Sequence, residues 1–169
     1  MNLLKGSFVI VLTLISFASF SQEGELLTTV PTKKKEFVKS EPLVINTINW
    51  FENTPLDQDI EKRKIVAANL IAWVTNSPTV TITFNSNVMP FTEKNNVLLV
   101  VFLGGWTKYA LQNSYSKDEI KGSLAGLKSV IKFYQANKSL TKDEQMDKLI
   151  ELDTNNKLEA WVAEQLAKK

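Results

Sequence analysis

Apolar positions in this chain fall into three patterns, and each predicts a different kind of element. The first is a solid block: Phe8–Phe20 is apolar except for Thr13, Ser16 and Ser19. The second is helical spacing, which recurs along most of the chain from residue 40 onward. The third is strict alternation, which is clear only once, at Thr79–Phe84.

The helical pattern opens at Ser40-Glu41-Pro42, an N-cap type residue followed by an acid and a proline, which the first turn tolerates. Leu43, Val44, Thr47, Ile48 and Phe51 continue it. Thr54-Pro55 opens a second helix in the same way, with Asp57 and Asp59 placed to favour its dipole. From Ile65 to Val74 only Asn69 is polar, which predicts a helix buried on every side near the centre of the fold. A third helix is expected from near Thr92, with the seven-residue apolar run Val97–Leu103 as its core segment. Gly104-Gly105 falls in its middle, where each glycine costs up to about 1 kcal/mol relative to alanine. The fourth helix carries small residues one turn apart, Gly122 and Gly126, so the reading is a close crossing of helices three and four; a kink at Gly104 is the alternative. Ser116-Lys117-Asp118-Glu119 and Thr141-Lys142-Asp143-Glu144 are capping-box patterns that start the fourth and fifth helices. Leu158, Trp161, Val162 and Leu166 mark a closing helix over Lys157–Lys169.

The alternating stretch places Val80, Ile82 and Phe84 on one face and Thr79, Thr81 and Thr83 on the other. A lone strand leaves backbone donors and acceptors unpaired. Leu26–Val30 is the candidate partner within the chain, and a second copy of the protein is the other. The fold class is therefore mainly α: a compact bundle of five to six helices with one short β-strand or hairpin excursion at residues 79–84. No repeat of 20–50 residues points to a solenoid.

The apolar block at the start has a separate meaning. Met1–Gly6 carries one positive charge, Lys5, and the small residues Ser19 and Ser21 follow the block. This is the layout of a secretory signal peptide. The expected cut follows Ser21, with Ala18 as the next choice and an uncleaved anchor as the alternative. The block is shorter than the roughly 20 residues a membrane helix needs. Removal of residues 1–21 would leave 148 residues, enough for one domain with its own core. Residues 22–39, polar and containing Pro31 and Lys33-Lys34-Lys35, read as a flexible arm or linker, and 40–169 as a single helical domain. The expected location is periplasmic or secreted, with no integral membrane span after cleavage.

Composition then narrows the chemistry. Without Lys5 the chain holds 19 basic and 18 acidic residues, so no global field gathers nucleic acid, and none is expected as a partner. There is no cysteine, which suits an oxidising compartment, supplies no thiol for a lipid anchor and excludes a thiolate nucleophile. There is no histidine either, which removes the commonest general base and metal ligand. No cofactor or metal site is expected. Asp57, Asp59 and Glu61 do not share a helix face, and Asp143, Glu144, Asp147 and Glu151 read as a solvated face. The paired glycines match no phosphate-binding loop. Lys33–Lys35 lacks the interleaved aromatics of a nucleic-acid site. Asn137-Lys138-Ser139 fits the glycosylation triplet, a pattern that arises by chance at this length. No family motif stands out.

Two elements remain as candidate contact sites. One is the alternating segment, with Thr79, Thr81, Ile82 and Thr83 as a partner-binding strand open to an unknown protein or to self-association. The other is Trp50, the tryptophan that falls off the apolar stripe of its helix and is the candidate exposed aromatic. The leading functional expectation is an exported, non-catalytic binding or interaction protein of a bacterial cell envelope, its partner a protein or small molecule. The alternatives are a carboxylate-dependent envelope hydrolase acting on saccharides and a carrier or holdase for small apolar cargo.

Overall fold

The most apolar helix takes the middle of the molecule. In the computed structural model, which describes residues 24–168, six α-helices follow in order: α1 Lys34–Asn53, α2 Ile60–Asn76, α3 Val97–Gln112, α4 Glu119–Ala136, α5 Glu144–Thr154 and α6 Leu158–Ala167, with a 3-10 turn at Ser86–Val88. The apolar block 8–20 and the expected cut after Ser21 lie outside the described residues. Helix α3 packs against α1, α2 and α4, while α5 and α6 pack on α4. Leu98, Val101, Phe102, Trp106 and Ala110 are all buried. The fold is thus mainly α, as the helical spacing predicts. Among the described residues no helix is long and apolar enough to cross a membrane.

The expected crossing of α3 and α4 is present, and glycines make it possible. A Cβ on Gly105 would lie 2.8 Å from the Ala125 carbonyl oxygen, and one on Gly126 would lie 2.8 Å from that of Phe102. A Cβ on Gly122 would overlap the Trp106 indole. Gly104 faces the other way, toward Ile48 of α1. Both glycines of α3 stay inside one continuous helix.

Several boundaries differ from those the pattern suggests. Helix α1 begins at Lys34 and runs through Pro42, so residues 34–39 of the expected arm are helical. Tertiary contacts hold this first half: Phe37 packs on Trp73 with ring centroids 5.7 Å apart, and Ser40 Oγ accepts from Trp73 Nε1 at 2.8 Å while donating to the Phe37 carbonyl. Helix α3 starts at Val97, not near Thr92, because Asn95 is tied elsewhere: its amide bonds both the N–H and the carbonyl of Thr141. Asp118 and Asp143, each two residues inside the predicted capping box, are the caps of α4 and α5, accepting from the Lys121 and Gln145 amides.

Helix α2 is not central. Only Arg63, Val66, Leu70 and Trp73 are buried, Ala67 and Val74 are partly covered, and Ile65 is 61% exposed. Its run of apolar residues exceeds what α1 and α3 can cover.

Among the described residues no β-strand forms. The segment 79–84 keeps part of its predicted alternation, with Val80 buried and Ile82 half-buried, but Phe84 is 62% exposed. Its candidate partner is engaged elsewhere. The chain around Leu27 lies as a strap across α1 and α2: the Leu27 N–H donates to Thr47 Oγ1 at 2.8 Å, and Asn69 Nδ2 donates to the carbonyls of Leu27 and Thr28.

Candidate functional site

Thr54-Pro55 ends α1, since a residue before proline is pushed toward extended backbone, and Thr54 adopts φ −83°, ψ 127°. The end of α1 therefore turns its last carbonyls outward without helical partners. Arg63, in the first turns of α2, supplies them. Its Nη1 donates to the Phe51 carbonyl at 3.1 Å, and its Nη2 to those of Thr54 at 2.5 Å and Pro55 at 3.0 Å. The guanidinium lies 4.7 Å from the centre of the Phe51 ring and 5.5 Å from that of Trp50. Burial pushes the Arg63 pKa down from its usual value and the nearby Asp59 carboxylate opposes the shift. A positive charge at this place also complements the negative end of the α1 dipole.

This clamp fixes the turn between α1 and α2 and shapes a cleft beside it. The cleft, about 480 Å³, is lined by Trp50 with Asn46, Asn49 and Asn53 of α1, by Gln58 and Asp59 of the turn, and by the strap at Gly24 and Leu26. The three asparagines fall at i, i+3 and i+7, a spacing that puts them on one helix face. Asp59 sits in the left-handed region at φ 49°. Lys108 Nζ donates to Asn49 Oδ1 at 3.3 Å, and Lys132 Nζ to Asn53 Oδ1 at 3.3 Å. Asn53 Nδ2 donates to the Asn49 carbonyl, so Asn53 is held in place. Lys108 is also paired with Glu52 at 2.7 Å. Asn46 and Gln58 form no side-chain hydrogen bond with the described residues, which leaves their amides facing the cleft. Lys62 Nζ lies 4.8 Å from the centre of the Trp50 ring.

Across the strap lies a second cleft of about 530 Å³, more apolar, lined by Leu26, Leu27, Lys62, Ile65 and Val66. Compared with protein-family models, curated proteins and solved structures, the chain matches none. The chemistry of the clefts is therefore read from their own residues.

Among the described residues Asp59 is the one carboxylate lining the Trp50 cleft. Hydrolysis of a glycosidic bond by acids needs two carboxyl groups flanking it. Acids do meet elsewhere, where Glu93, Asp143 and Glu144 line a depression of about 270 Å³ with Lys94. There Asp143 is buried, caps α5 and lies 4.0 Å from Lys94 Nζ, which is a structural occupation. No group of three or more acids is placed to hold a metal ion among the described residues.

The two candidate elements from the sequence do not come together. Trp50 is half-buried and lines the cleft. Thr79 Oγ1 donates to Glu41 Oε1 at 3.2 Å, near the other half of α1, nine residues or about 14 Å along the axis from Trp50. Thr83 Oγ1 donates to Glu119 Oε1 at 2.7 Å, Thr81 is exposed, and Ile82 packs against the core. The asparagine face of α1, together with Gln58, Asp59 and Arg63, was not evident from periodicity. The spacing Asn46-x-x-Asn49-x-x-x-Asn53 beside Trp50 is the signal that points to it.

Proposed function

We propose that this chain is an exported, non-catalytic binding protein of a bacterial cell envelope that takes its ligand in the Trp50 cleft, after a leader ending at Ser21 is removed. The observation that carries the binding reading is the lining itself: an indole and side-chain amides with a single carboxylate among the described residues, a surface equipped to recognise and poorly equipped to react. The basic head, apolar block and small residues of positions 1–21 support export. The test is expression with the native leader, osmotic-shock fractionation and N-terminal sequencing, followed by titration of the purified protein with envelope extracts while Trp50 is monitored. A released chain beginning at Gln22 and a saturable response that is weakened in Asn46→Ala/Gln58→Ala, which leaves the Trp50 reporter in place, support the reading. A protein retained in the cytoplasm with residues 1–21 attached overturns the export half, and an unresponsive cleft overturns the binding half.

A second reading has its own observation. Residues 81–84 form no backbone–backbone hydrogen bond with the described residues, although Val80 and Ile82 anchor the segment against the core. A backbone held in this way can accept a strand from a partner or a second copy. Thr81→Pro, which removes one donor, is then expected to lower association seen by sedimentation velocity; unchanged assembly, or a monomer in both forms, removes self-association through 79–84.

A further inference from the structure

We infer that the groove between α1 and α2 is a seat for an extended chain segment and that a second copy of this protein fills it by strap exchange, residues 24–30 of each copy lying in the groove of the other. The strap is held as a bound peptide would be. Leu27 is its buried anchor, while Leu26 and Val30 are half-buried and Thr28 and Thr29 are exposed. The hydrogen bonds to its backbone come from side chains. The Leu27 N–H donates to Thr47 Oγ1 at 2.8 Å, and Asn69 Nδ2 donates to the Leu27 and Thr28 carbonyls at 3.2 and 3.0 Å. No backbone–backbone hydrogen bond joins residues 24–30 to the other described residues. Thr47 is itself fixed, its hydroxyl donating to the Leu43 carbonyl at 2.7 Å. Asn69, the one polar residue between Ile65 and Val74, serves the two strap carbonyls. The strap of a second copy meets the same preset groups, with little left to order.

The link between strap and body favours exchange. Leu27 lies beside Thr47, well inside α1, so the chain doubles back between the strap and Lys34. No backbone hydrogen bond closes that turn; the first ones after it run from the Glu36 and Phe37 amides to the Lys33 carbonyl. Pro31 fixes its own φ and pushes Val30 toward extended backbone. A short turn biased toward extended chain invites the open form that swapping needs. Charge and symmetry then select the occupant. The strap from Leu26 to Pro31 carries no charge, and neither does α2 from Ile65 to Asn76, so the groove offers no handle to an acidic or basic peptide. A foreign peptide would expel the strap and leave Leu27 in water. Exchange between two copies is reciprocal and two-fold, and it buries both Leu27 side chains again. In the exchanged form the strap wall of each Trp50 cleft, Gly24 and Leu26, comes from the other copy. A strap on a short link closes on its own groove with an effective concentration of about 1 mM, so exchange takes over near that protein concentration.

The test uses the mature chain, whose lack of cysteine makes introduced thiols specific. Thr28 and Ile65 are exposed and line the same cleft. The Thr28→Cys/Ile65→Cys double variant should close an internal disulfide on oxidation at low concentration, which checks both geometry and folding. The two single variants are then mixed at about 1 mM, equilibrated and oxidised. The expected product is a disulfide between a Thr28→Cys chain and an Ile65→Cys chain, about tenfold or more above either like-with-like product. Light scattering should show a dimer at about 1 mM that dissociates on dilution to about 10 µM. Adding Leu27→Ala to the Thr28→Cys chain should abolish the mixed disulfide. An excess of a synthetic peptide spanning residues 24–32 should suppress it, and the same peptide with alanine in place of Leu27 should not. A double variant that stays open removes the docked strap and the exchange with it. A monomer at every concentration overturns the exchange, and a dimer without the mixed disulfide places association on another surface. Equal suppression by unrelated leucine-containing peptides makes the groove a general peptide site and overturns the choice of a second copy.

Discussion

At the scale of single residues, Arg63 holds the most for its size. It is a buried cation whose donors satisfy three carbonyls at the turn after α1, and its guanidinium plane packs on Phe51. A flexible ammonium cannot reproduce that fork. Arg63→Met should lower the unfolding free energy in urea by about 2–4 kcal/mol, through carbonyls left unpaired, and Arg63→Lys should recover less than half of the loss. Equal stability of Arg63→Met and the parent would remove the clamp. Sequence patterning did not reveal this role, because an arginine at the start of an amphipathic helix reads as a solvated charge until the end of the preceding helix is seen to fold back over it. Tyr115 offers a second test. It follows Ser114 in a left-handed pair, φ 54° and 58°, and its hydroxyl donates to Glu41 Oε2 at 3.2 Å. That hydrogen bond, and then the charge of Glu41, raise the Tyr115 pKa above its usual 10.0. The raised value means that the neutral phenol is favoured in the folded state. Its contribution to stability is fully present below the unfolded value and is lost as pH rises through the folded one. A spectrophotometric titration should show Tyr115, assigned by its loss in Tyr115→Phe, ionising above the usual phenol value, and Glu41→Gln should bring it back down.

At the scale of elements, legibility depended on whether one helix could be judged without its neighbours. The crossing of α3 and α4 was readable because paired glycines lower the propensity of an apolar helix, a cost that close backbone approach offsets. The geometry divides those glycines sharply. Gly105→Ala gains helix propensity, yet its Cβ would meet the Ala125 carbonyl and the Ser129 side chain. A net loss of about 1–3 kcal/mol is expected from overpacking. Gly104→Ala meets the Ile48 side chain alone, its Cγ2 3.1 Å away, and no backbone, so the gain in helix propensity should offset most of the crowding and leave its stability within about 1 kcal/mol of the parent. Thermal melts of the two variants check the contrast, and similar melting points would contradict it. The alternation at 79–84 was a weaker guide. It reports which side chains face inward, and Val80 and Ile82 do, but a strand also requires a neighbour to complete its ladder. The apolar run of α2 misled for the same reason. Periodicity states what a helix can bury, while the arrangement of α1 and α3 decides how much of it is covered.

At the scale of the whole molecule, the clefts exist because a short strap lies over the groove between α1 and α2, and the strap is held by very little. Leu27 is 2% exposed, with one hydrogen bond from its N–H and two from Asn69 to the carbonyls of Leu27 and Thr28. Leu26 and Val30 add partial contacts with the core. By contrast, α3 is enclosed by three helices and packed against α4 at glycine distance. Regions with few buried contacts open with a free energy well below that of global unfolding. The strap should therefore exchange its amide hydrogens faster than α3, as a separate unit. Leu27→Ala removes the one fully buried side chain of the strap and should accelerate exchange across residues 25–30, with the rates in α3 changed little. Because Gly24 and Leu26 form one wall of the Trp50 cleft, the same variant should weaken any ligand held there without altering Trp50, its amides or the Arg63 clamp. Hydrogen–deuterium exchange read alongside the ligand titration separates the outcomes. Faster strap exchange with undiminished binding would show that the α1 face alone suffices. Exchange accelerated equally in α3 and the strap would show that strap and core open as one body.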